Sequence, residues 1–381
     1  MQEGSLIKFA VAPIETVRVG FIGLGSRGMA AVGRYVRIDG AEVTAVCDVN
    51  RIKVDDAMRL VGHSGTVTGY CGSDAWKSLC EKALVDLVYI CTDWQSHADI
   101  ACYAMECGRH VAVEVPAATS VEECFRLVRT AERTGRHCMM LENCIYDLFE
   151  ASTFDMVKAG VFGDILHAEG GYIHNLEYLN RWRDDFNRTR LGDNYPTHGL
   201  GPICRLMGIH RTDNLHSITS FSTPMPKGSH TVSVIRTKKG KTMILQHDIH
   251  APRPYSRMYQ FMGEKGFVSK YPDMRISMLP SADVFLSEDR MMALLEDYRP
   301  DYSGVVRALM PDGLEERRYM DYAMDYRLVH CLRHGLPLDM DVYDAAEWSC
   351  VSELSHRSIE SGSLPVLFPD FLTGEPSDYH N

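Results

Sequence analysis

A glycine motif between an apolar run and a helical pattern constrains this chain more than any other feature. Gly23-Leu24-Gly25-Ser26-Arg27-Gly28 reads G-x-G-x-x-G and closes the β-branched run Val17–Gly23. The first glycine permits a tight turn, the second lets the backbone approach a pyrophosphate, and the third allows close packing of helix on strand. The first N–H groups of the helix are then available to phosphates. The motif therefore predicts a dinucleotide site at Gly23, Gly25 and Gly28.

An acidic residue follows the motif at the spacing that a dinucleotide-binding fold requires. Asp48 lies twenty residues after Gly28, near the end of a second apolar run, Val43–Val49. A carboxylate in this place accepts hydrogen bonds from the adenosine ribose and repels a 2′-phosphate. Asp48 therefore favours NAD over NADP, although the nearby Arg51 leaves NADP open.

Apolar runs and helical patterns alternate through the first third of the chain. The runs are Val17–Gly23, Val43–Val49, Leu87–Thr92, His110–Val115 and His137–Glu142, and the helical patterns are about Arg27–Arg37, Lys53–Val61, Asp74–Ala83, Ala98–Glu106 and Val121–Arg133. Strands that alternate with helices of this length predict βαβ units with right-handed crossovers. We therefore expect an α/β protein whose residues 1–145 form an NAD-binding Rossmann domain with a doubly wound parallel sheet.

The later part of the chain has a different pattern, with strand-like runs following one another directly. A helix at Leu148–Ala159 precedes runs at Ile165–His174, Ser217–Phe221, Val232–Thr237, Thr242–His250 and Met258–Met262, and helices at Arg318–Arg333 and Tyr343–Glu360 close the chain. Lys238–Lys241 has the composition of a hairpin turn. Residues 146–381 are therefore predicted to form a second α/β domain, for substrate and oligomerisation, with a mostly antiparallel sheet.

Three further segments lie where parallel strands end, which is the edge at which ligands bind in such sheets. They are Cys91–His97, Glu114–Pro116 and Glu142–Asn143. Trp94 is a candidate to pack on the nicotinamide ribose, and His97 is placed to cap the next helix. Taken alone, each of these side chains is more often structural than functional.

Composition excludes several classes of partner. The chain has 40 Lys and Arg against 51 Asp and Glu, a net charge of −11, and no long basic block, so nucleic acids and anionic membranes are not expected partners. No apolar run reaches the roughly 20 residues that span a bilayer. The twelve cysteines form no paired C-x-x-C array and are interpreted as buried free thiols rather than zinc ligands.

The compartment stays open at this stage. Met1–Thr16 lacks the basic region and apolar core of a signal peptide. A signal that had been removed would leave the same sequence. We therefore expect a periplasmic or exported protein if a signal was removed, and a cytoplasmic protein otherwise.

With these residues in view, the chain resembles the glucose–fructose oxidoreductase and inositol dehydrogenase superfamily over nearly its whole length. That superfamily joins a Rossmann domain to an α/β domain with an open, mostly antiparallel sheet. Most of its dehydrogenases carry Glu-Lys-Pro after the fourth strand and an Asp four residues before a catalytic His. This chain instead has Val115, which cannot move a proton, and Asn194, four residues before His198. Both departures disfavour simple dehydrogenation.

A more specific resemblance is to glycoside hydrolase family 109, the NAD-dependent α-N-acetylgalactosaminidases. It rests first on the nonapeptide Asn194-Tyr195-Pro196-Thr197-His198-Gly199-Leu200-Gly201-Pro202. Other motifs agree in order: Thr92–His97, Glu114–Pro116, Glu142–Tyr146, Arg181–Arg183, Ala251–Arg257 and Lys270–Pro272. Family members often carry a twin-arginine export signal, which this sequence lacks.

The resemblance implies site residues and an activity. Cofactor contacts are implied at Ser26, Arg27, Asp48, Trp94, Gln95, Ser96, His97, Glu114, Val115 and Asn143, and substrate contacts at Arg183, Tyr195, Pro196, Thr197, His198 and Tyr271. In the implied reaction, bound NAD oxidises C3 of the sugar, the acidified C2 loses its proton, and the C1 leaving group is eliminated. Water then adds and the hydride returns to C3. This route needs no pair of carboxylates, and the site motifs contain no obvious pair.

Four side chains have the chemistry that this reaction requires. His198 is the candidate for proton transfer at the C3 hydroxyl, because an unperturbed histidine has a pKa of about 6.5. Tyr195 shares its pocket if the segment is helical, and either Tyr195 or Tyr146 can serve as the C2 base or the leaving-group acid. The guanidinium N–H groups of Arg183 can donate hydrogen bonds to the acetamido carbonyl or to a ring hydroxyl.

A group of polar residues on one predicted strand has two interpretations. His247, Asp248 and His250 are close in sequence, which suggests metal ligands. Strand alternation sends His247 and His250 to opposite faces. We therefore predict no metal site and interpret them as polar strand residues, one of which can line the pocket.

Three functions stay in view. The leading hypothesis is an NAD-dependent α-N-acetylgalactosaminidase. The alternatives are a sugar or cyclitol dehydrogenase that releases NADH, which Val115 disfavours, and a non-catalytic NAD-binding sensor, which has no need of His198 and Tyr195. The expected partners are a small-molecule sugar and a second copy of the chain, bound through the open face of the second sheet.

Overall fold

The five strands predicted in the first third form, together with one further strand, a six-stranded sheet in a computed structural model of the protein. The structure describes residues 5–62, 67–176, 181–225, 228–250, 252–315 and 318–373. The strands are β1 (Val17–Ile22), β2 (Ala41–Asp48), β3 (Thr68–Cys71), β4 (Leu87–Ile90), β5 (His110–Val113) and β6 (Cys138–Met140). Their order is β3-β2-β1-β4-β5-β6, and every pair is parallel. The predicted doubly wound sheet is confirmed, and its strand order reverses between β1 and β4, where ligands bind.

The helices between these strands agree with the predicted patterns, with two differences in this region. They are α1 (Ser26–Tyr35), α2 (Arg51–Val61), α3 (Ala75–Lys82), α4 (Trp94–Glu106) and α5 (Val121–Thr134). The edge strand β3 was not predicted, because its four residues are partly exposed and form no apolar run. Helix α4 begins at Trp94 rather than Ala98, so the prediction that His97 caps it was wrong. His97 lies inside the helix, and its Nδ1 is hydrogen-bonded to the Pro116 carbonyl at 2.8 Å.

The later strands form a second sheet of eight strands, in the order β13-β12-β11-β7-β10-β9-β8-β14. The remaining elements are α6 (Leu148–Lys158), β7 (Ile165–Ile173), α7 (Arg181–Thr189), α8 (Thr197–Met207), β8 (Leu215–Met225), β9 (Gly228–Thr237), β10 (Thr242–Asp248), β11 (Gln260–Gly263), β12 (Gly266–Ser269), β13 (Arg275–Met278), α9 (Glu288–Asp297), α10 (Ser303–Leu309), α11 (Tyr319–His334), α12 (Val342–Glu360) and β14 (Val366–Leu367). Strands β7 and β10 pair in parallel, and the other pairs are antiparallel. This confirms the mostly antiparallel sheet and the hairpin at Lys238–Lys241.

Several short elements of this region were not predicted from the sequence. Helix α7 is almost wholly polar, and α8 contains Gly199, Gly201 and Pro202, which all disfavour helix. Strands β12 to β14 have only two to four residues each. Tertiary packing decides the conformation of such segments, because their local patterns are weak.

Contacts divide the chain into two compact units that alternate along the sequence. The first comprises Met1–Leu141, Val305–Glu347 and Phe371–Gly374, and the second comprises Glu142–Gly304, Trp348–Asp370 and Glu375–Asn381. The functional division into residues 1–145 and 146–381 stays a prediction. Among the described helices, none has the length and apolar character to cross a membrane.

A buried ion pair joins α1 to α11 within the first unit. Arg34 Nε donates to Asp325 Oδ2 at 2.6 Å, and the Tyr89 hydroxyl donates to Asp325 Oδ1 at 3.1 Å. The two charged side chains are 5% and 0% exposed. Burial raises the pKa of Asp325 to about 6, although Arg34 lowers it. The late helix α11 is therefore part of the core of the dinucleotide-binding unit.

We expect Arg34→Leu to lower the free energy of unfolding by about 3–5 kcal/mol, because it leaves the Asp325 carboxylate buried without its counter-charge. Urea unfolding followed by circular dichroism measures the loss. The matched control is Arg133→Leu, whose ion pair with Glu106 is exposed at 62% and 51%, and whose loss we expect to cost under about 1 kcal/mol. Equal losses in the two variants would contradict this account of the core.

Candidate active site

The glycine loop of the first unit has the geometry that each motif glycine was predicted to supply. Gly23 has a φ of +90°, and a Cβ there would lie 2.5 Å from the Cys91 carbonyl oxygen. A Cβ on Gly28 would lie 1.9 Å from the Gly23 carbonyl oxygen, so helix and strand touch at this point. A Cβ on Gly25 would meet nothing within 4 Å among the described residues. The tight turn, the close packing and the open approach are all present.

The carboxyl ends of β1, β2, β4 and β5 bring the predicted acidic and basic residues to one edge. Asp48 Oδ2 accepts from the Leu24 N–H at 2.7 Å, and its Oδ1 accepts from the Asn50 N–H at 2.8 Å. Arg27 Nε donates to Glu114 Oε1 at 2.9 Å, and its Nη1 donates to Asp321 Oδ1 at 3.1 Å. Asp48 is thus fixed beside the glycine loop, and Arg27 is held between two carboxylates.

Most of the other residues predicted to contact the cofactor follow β4 or β5 in the first unit, and one belongs to the second unit. Trp94, Gln95, Ser96 and His97 form the first turn of α4, with Trp94 and His97 buried and Gln95 exposed. Val115 is 4% exposed and follows Glu114. Asn143 belongs to the second unit and is 6% exposed.

This edge of the first unit fits a dinucleotide. The N-terminus of α1 offers backbone N–H groups, and the open space over Gly25 admits a pyrophosphate. Each oxygen of Asp48 accepts one backbone hydrogen bond and has a further lone pair for a ribose hydroxyl. The carboxylate beside the loop favours a ribose without a 2′-phosphate.

In the second unit, a very close contact between α8 and β7 positions the candidate catalytic residues. A Cβ on Gly170 would lie 2.2 Å from the Gly199 carbonyl oxygen, and a Cβ on Gly199 would lie 2.3 Å from the Gly171 nitrogen. A Cβ on Gly201 would lie 2.9 Å from Trp348 Cζ3 and 3.1 Å from Glu142 Cγ. The glycines of the nonapeptide therefore let α8 touch the strand backbone, and His198 lies in the first turn of that helix.

His198 is held by a buried carboxylate. Its Nδ1 lies 2.7 Å from Glu142 Oε1 and 2.8 Å from Oε2, and the Glu142 side chain is 0% exposed. Burial acts to raise the pKa of Glu142, but the charge and hydrogen bond of His198, with the Cys144 N–H at 3.0 Å, hold it below its usual range. A carboxylate accepts only, so Nδ1 carries the proton, and Nε2 of a neutral His198 is an acceptor.

Two tyrosines and an arginine surround His198. The Tyr195 hydroxyl lies 3.4 Å from His198 Nε2, and the ring centroids are 4.8 Å apart. Tyr172 lies 4.8 Å from Tyr195 and 5.4 Å from His198, again between ring centroids. The Arg183 guanidinium is 4.5 Å from the centre of the Tyr195 ring. Burial raises the pKa of Tyr172, and the charge and hydrogen bond of Arg183 oppose that rise.

The residues just before His198 are buried and build the turn into α8. Pro196 precedes the helix and Thr197 begins it. The Tyr195 N–H donates to Asp193 Oδ1 at 3.1 Å. Asn194 Nδ2 donates to the Arg190 carbonyl at 2.8 Å, and its Oδ1 accepts from the Ser352 hydroxyl at 3.3 Å. The amide that replaces the superfamily aspartate is therefore used in packing.

A buried charge cluster supports a second group of tyrosines. Arg257 forms ion pairs with Glu150 and Asp147, and Lys270 Nζ lies 2.6 Å from Asp147 Oδ2 and 3.0 Å from Glu150 Oε1. The Tyr255 hydroxyl accepts from Arg257 Nη1 at 3.3 Å. The ring centroid of Tyr255 lies 6.2 Å from that of Tyr271 and 6.3 Å from that of Tyr172. The predicted substrate residue Tyr271 is thus linked to the group around His198 through Tyr255. Ala251, the first residue of the motif containing Tyr255, lies outside the described residues.

Tyr146 differs from Tyr195 in its surroundings. It ends a short 3-10 helix, Asn143–Tyr146, and is 1% exposed. Its phenol is almost fully buried, whereas the Tyr195 hydroxyl lies beside His198, and a role for either tyrosine in proton transfer stays a prediction.

One group of three possible metal ligands occurs among the described residues. Side-chain ligand atoms of Glu142, Cys144 and His198 lie within 4.8 Å of one another. The Nδ1 of His198 is already hydrogen-bonded to the carboxylate. The nitrogen of His198 nearest the carboxylate is therefore engaged in that hydrogen bond.

The sequence did not identify all residues of the site. Glu142 was noted only as a polar group at a strand end, and its bond to His198 spans 56 residues of sequence. Tyr172 and Arg257 were not singled out. Two features of the sequence could have indicated them. Glu142 is a carboxylate that directly follows an apolar run, and Tyr172 lies near the end of the Ile165–His174 run.

Comparison with known families and proteins identifies the families that the two parts of the chain match. Residues 17–142 match the model of an oxidoreductase family with an NAD-binding Rossmann fold, and residues 146–231 and 225–377 match the C-terminal domain of glycosyl hydrolase 109. The chain is 45% identical to glycosyl hydrolase family 109 protein 1 of Bacteroides thetaiotaomicron, covering 97% of this chain and 87% of that one. It is 42% identical to a Bacteroides fragilis protein named alpha-N-acetylgalactosaminidase, covering 97% and 95%.

Solved structures share the fold at low identity. An oxidoreductase domain protein from Kribbella flavida superposes with a TM-score of 0.76 at 18% identity, covering 94% of this chain and 100% of that one. The apo scyllo-inositol dehydrogenase of Lactobacillus casei gives a TM-score of 0.70 at 14% identity, covering 93% and 99%. These similarities concern the fold alone.

Asp193 provides a test of the electrostatics in the turn before His198. Burial raises the pKa of Asp193 to about 7, against the lowering effect of the Tyr195 N–H, whereas an unfolded aspartate titrates near pH 3.9. Between about pH 4 and about pH 7, the carboxyl ionises in the unfolded chain but stays protonated in the folded protein. The free energy of unfolding therefore falls as the pH rises through this range, and the full loss applies above it.

We expect Asp193→Asn to stabilise the protein relative to wild type at pH 8 by on the order of 4 kcal/mol, because the pKa difference is about three units at about 1.4 kcal/mol each. The advantage should vanish at pH 4. Urea unfolding of both proteins across this range measures the difference, and a difference independent of pH would contradict the assignment.

Proposed function

The chain belongs to glycosyl hydrolase family 109, and we propose from this premise that it is an NAD-dependent hydrolase of α-linked N-acetylgalactosaminides. The relative from Bacteroides fragilis named alpha-N-acetylgalactosaminidase supports the choice of sugar. The NAD-binding Rossmann domain supplies the redox partner that such a hydrolase uses in place of paired carboxylates.

One observation carries the proposal. A buried carboxylate, Glu142, holds Nδ1 of His198 at 2.7 Å, and the opposite nitrogen is beside the Tyr195 hydroxyl at 3.4 Å. This order of groups supports proton transfer at Nε2, since the carboxylate fixes the tautomer and stabilises the imidazolium that forms. A sensor protein would have no use for such an arrangement.

The proposed cofactor contacts are those that the sequence predicted, and the geometry of the glycine loop and of Asp48 supports the first of them. When bound, NAD takes a hydride from C3 of the sugar and later returns it. We assign its pyrophosphate to the loop of Gly23, Gly25 and Gly28 with Ser26 and Arg27, and its adenosine ribose to Asp48. The nicotinamide end is assigned to the remaining predicted contacts, which are Trp94, Gln95, Ser96, His97, Glu114, Val115 and Asn143.

His198 is assigned the proton of the C3 hydroxyl. Its Nε2 accepts that proton as C3 becomes a ketone, and returns it when the alcohol is restored. Glu142 stays ionised and balances the charge of the imidazolium. His198 thereby performs the acid–base role that Val115 cannot perform.

Tyr195 is assigned the proton chemistry at C2 and C1, where the ketone makes the C2 hydrogen acidic. The Tyr195 oxygen, as a phenolate, takes the C2 proton, and the electrons of the C2–H bond form the C1–C2 double bond. The C1–O bond breaks, and its electron pair leaves with the aglycone oxygen, which takes a proton from water. Water then adds at C1 and a proton returns to C2. Arg183, stacked on the Tyr195 ring, orients the acetamido group, and Pro196, Thr197 and Tyr271 complete the proposed substrate contacts.

A homo-oligomer stays part of the proposal. Phe221, Val234 and Met262 lie on the face of the second sheet opposite to α8 and are 54%, 42% and 45% exposed. Exposed apolar side chains grouped on one face support self-association.

The first experiment uses purified protein without added NAD and nitrophenyl α-N-acetylgalactosaminide. We expect nitrophenol release over many turnovers with no net NADH absorbance. Accumulation of NADH from free sugars and added NAD, without nitrophenol release, would favour the dehydrogenase. Absence of both nitrophenol release and NADH accumulation across a panel of sugars would favour the sensor.

We expect His198→Ala to lower the nitrophenol release rate by about 10³-fold, because proton transfer at C3 is lost. Binding of NAD, measured by calorimetry, should be unchanged, since its proposed contacts lie elsewhere. His216→Ala removes an exposed histidine of β8 and should retain full activity. Wild-type turnover by the His198→Ala protein would refute the mechanism.

We expect Glu142→Gln to reduce kcat by about 10²- to 10³-fold while NAD still binds. The amide no longer fixes the proton of His198 on Nδ1 and cannot balance the charge of the imidazolium. Measurement of kcat, KM and the Tm separates this effect from simple destabilisation, because a positioning role lowers kcat in protein that is still folded. Wild-type kcat in the folded Glu142→Gln protein would exclude Glu142 as the residue that positions His198.

A further inference from the structure

His247 is a buried histidine that the mechanism above does not use. It lies near the end of β10 and is 3% exposed. Neither of its ring nitrogens has a hydrogen-bond partner among the residues that the structure describes. Buried polar atoms without a partner destabilise a folded protein, so the presence of His247 here calls for an explanation.

The position of His247 connects it to the candidate site. In the parallel pairing of β7 with β10, His247 is opposite Tyr172, and the two rings are nearly parallel with centroids 6.4 Å apart. The alternate residue Leu245 packs on Gly199 of α8, so His247 shares the face that carries this helix. Tyr172 contacts His198 and Tyr195 from the same face.

Burial is the main reason that His247 stays neutral. Burial, and next the positive charge of Arg183, lower the pKa of His247 to about 3. Asp248 beside it is hydrogen-bonded to His230 at 3.0 Å. A neutral imidazole presents one N–H donor and one acceptor lone pair, whereas Arg183 presents donors only. Asn187, one turn after Arg183 on α7, is also buried, and neither of its amide atoms has a partner in the described part of the chain.

Arg183 is hydrogen-bonded to Tyr172, and the His247 ring lies against the same tyrosine. A donor-only group and a group with a lone pair around one side chain match a secondary amide. The amide carbonyl oxygen accepts from a guanidinium, and the amide N–H donates to a neutral imidazole. We propose that His247 recognises the acetamido group at C2 of the sugar by accepting its N–H, while Arg183 donates to its carbonyl oxygen. This inference rests on the proposed function and makes His247 the residue that separates 2-acetamido from 2-hydroxy sugars.

The test measures binding of two free sugars, N-acetylgalactosamine and galactose, to the NAD-loaded protein by calorimetry. His247→Leu removes both polar atoms at similar volume, and His247→Gln keeps a donor and an acceptor. We expect His247→Leu to weaken N-acetylgalactosamine binding by at least tenfold, leave galactose binding unchanged and keep or raise the Tm. His247→Gln should recover part of the affinity.

His230→Leu is the matched control, since it removes a histidine that does have a partner on the same sheet. We expect it to lower the Tm, because Asp248 loses its hydrogen bond, and to leave the ratio of the two affinities unchanged. A merely structural His247 would behave like His230.

The inference is overturned if His247→Leu keeps the wild-type ratio of affinities, whether both affinities are retained or fall together. It is also overturned if the main effect of His247→Leu is a lower Tm. The nitrophenol assay on the wild-type protein distinguishes these failures from failure of the proposed function. Wild-type hydrolysis with an unchanged ratio in the variant rejects only the role of His247, whereas absence of hydrolysis and of sugar binding in the wild type rejects both.

Discussion

The backbone contact between α8 and β7 is the constraint on which the candidate active site depends. A glycine inside a helix costs about 0.5–1 kcal/mol relative to alanine, and α8 contains two glycines and a proline. Those residues make a poor isolated helix. They also remove the Cβ atoms that would otherwise hold the helix away from Gly170 and Gly171. This packing positions His198 beside Glu142 and Tyr172. The glycines of the nonapeptide therefore serve the packing of α8, while its polar residues supply the candidate functional groups.

Burial of charge is the second theme of this unit. The Glu142 carboxylate is fully buried, and such a group is tolerated only where donors surround it. One of its donors is the catalytic candidate itself, so stability and the choice of His198 tautomer depend on the same bond. A second set of buried charges is stabilised by opposite charges, beneath Tyr271. Its members are Arg257, Lys270, Glu150 and Asp147. His247 lacks any such partner among the described residues and is kept neutral.

The sequence predicted those parts of the molecule that rest on local patterns. The glycine loop, Asp48 and the βαβ alternation are local, because turn geometry and strand burial depend on adjacent residues. The mostly antiparallel second sheet also follows from runs of alternating residues. Helix α8 was missed because its stability comes from tertiary contact and its residues disfavour helix. Two contacts of the site join residues that are far apart in sequence, so no local pattern could reveal them. They are the hydrogen bond between Glu142 and His198 and the pairing of Tyr172 with His247 across two strands.

The ion pair between Arg34 and Asp325 has a consequence for biosynthesis. The partners are separated by 291 residues, although both belong to the unit that contains the N-terminal sheet. Domains generally fold in order as the ribosome releases them. Here the glycine loop and its sheet emerge early, but α11 emerges only when most of the chain has been translated. Until then α1 exposes an uncompensated guanidinium and the apolar surface that α11 later covers, so the dinucleotide unit cannot complete its core before most of the chain has been synthesised.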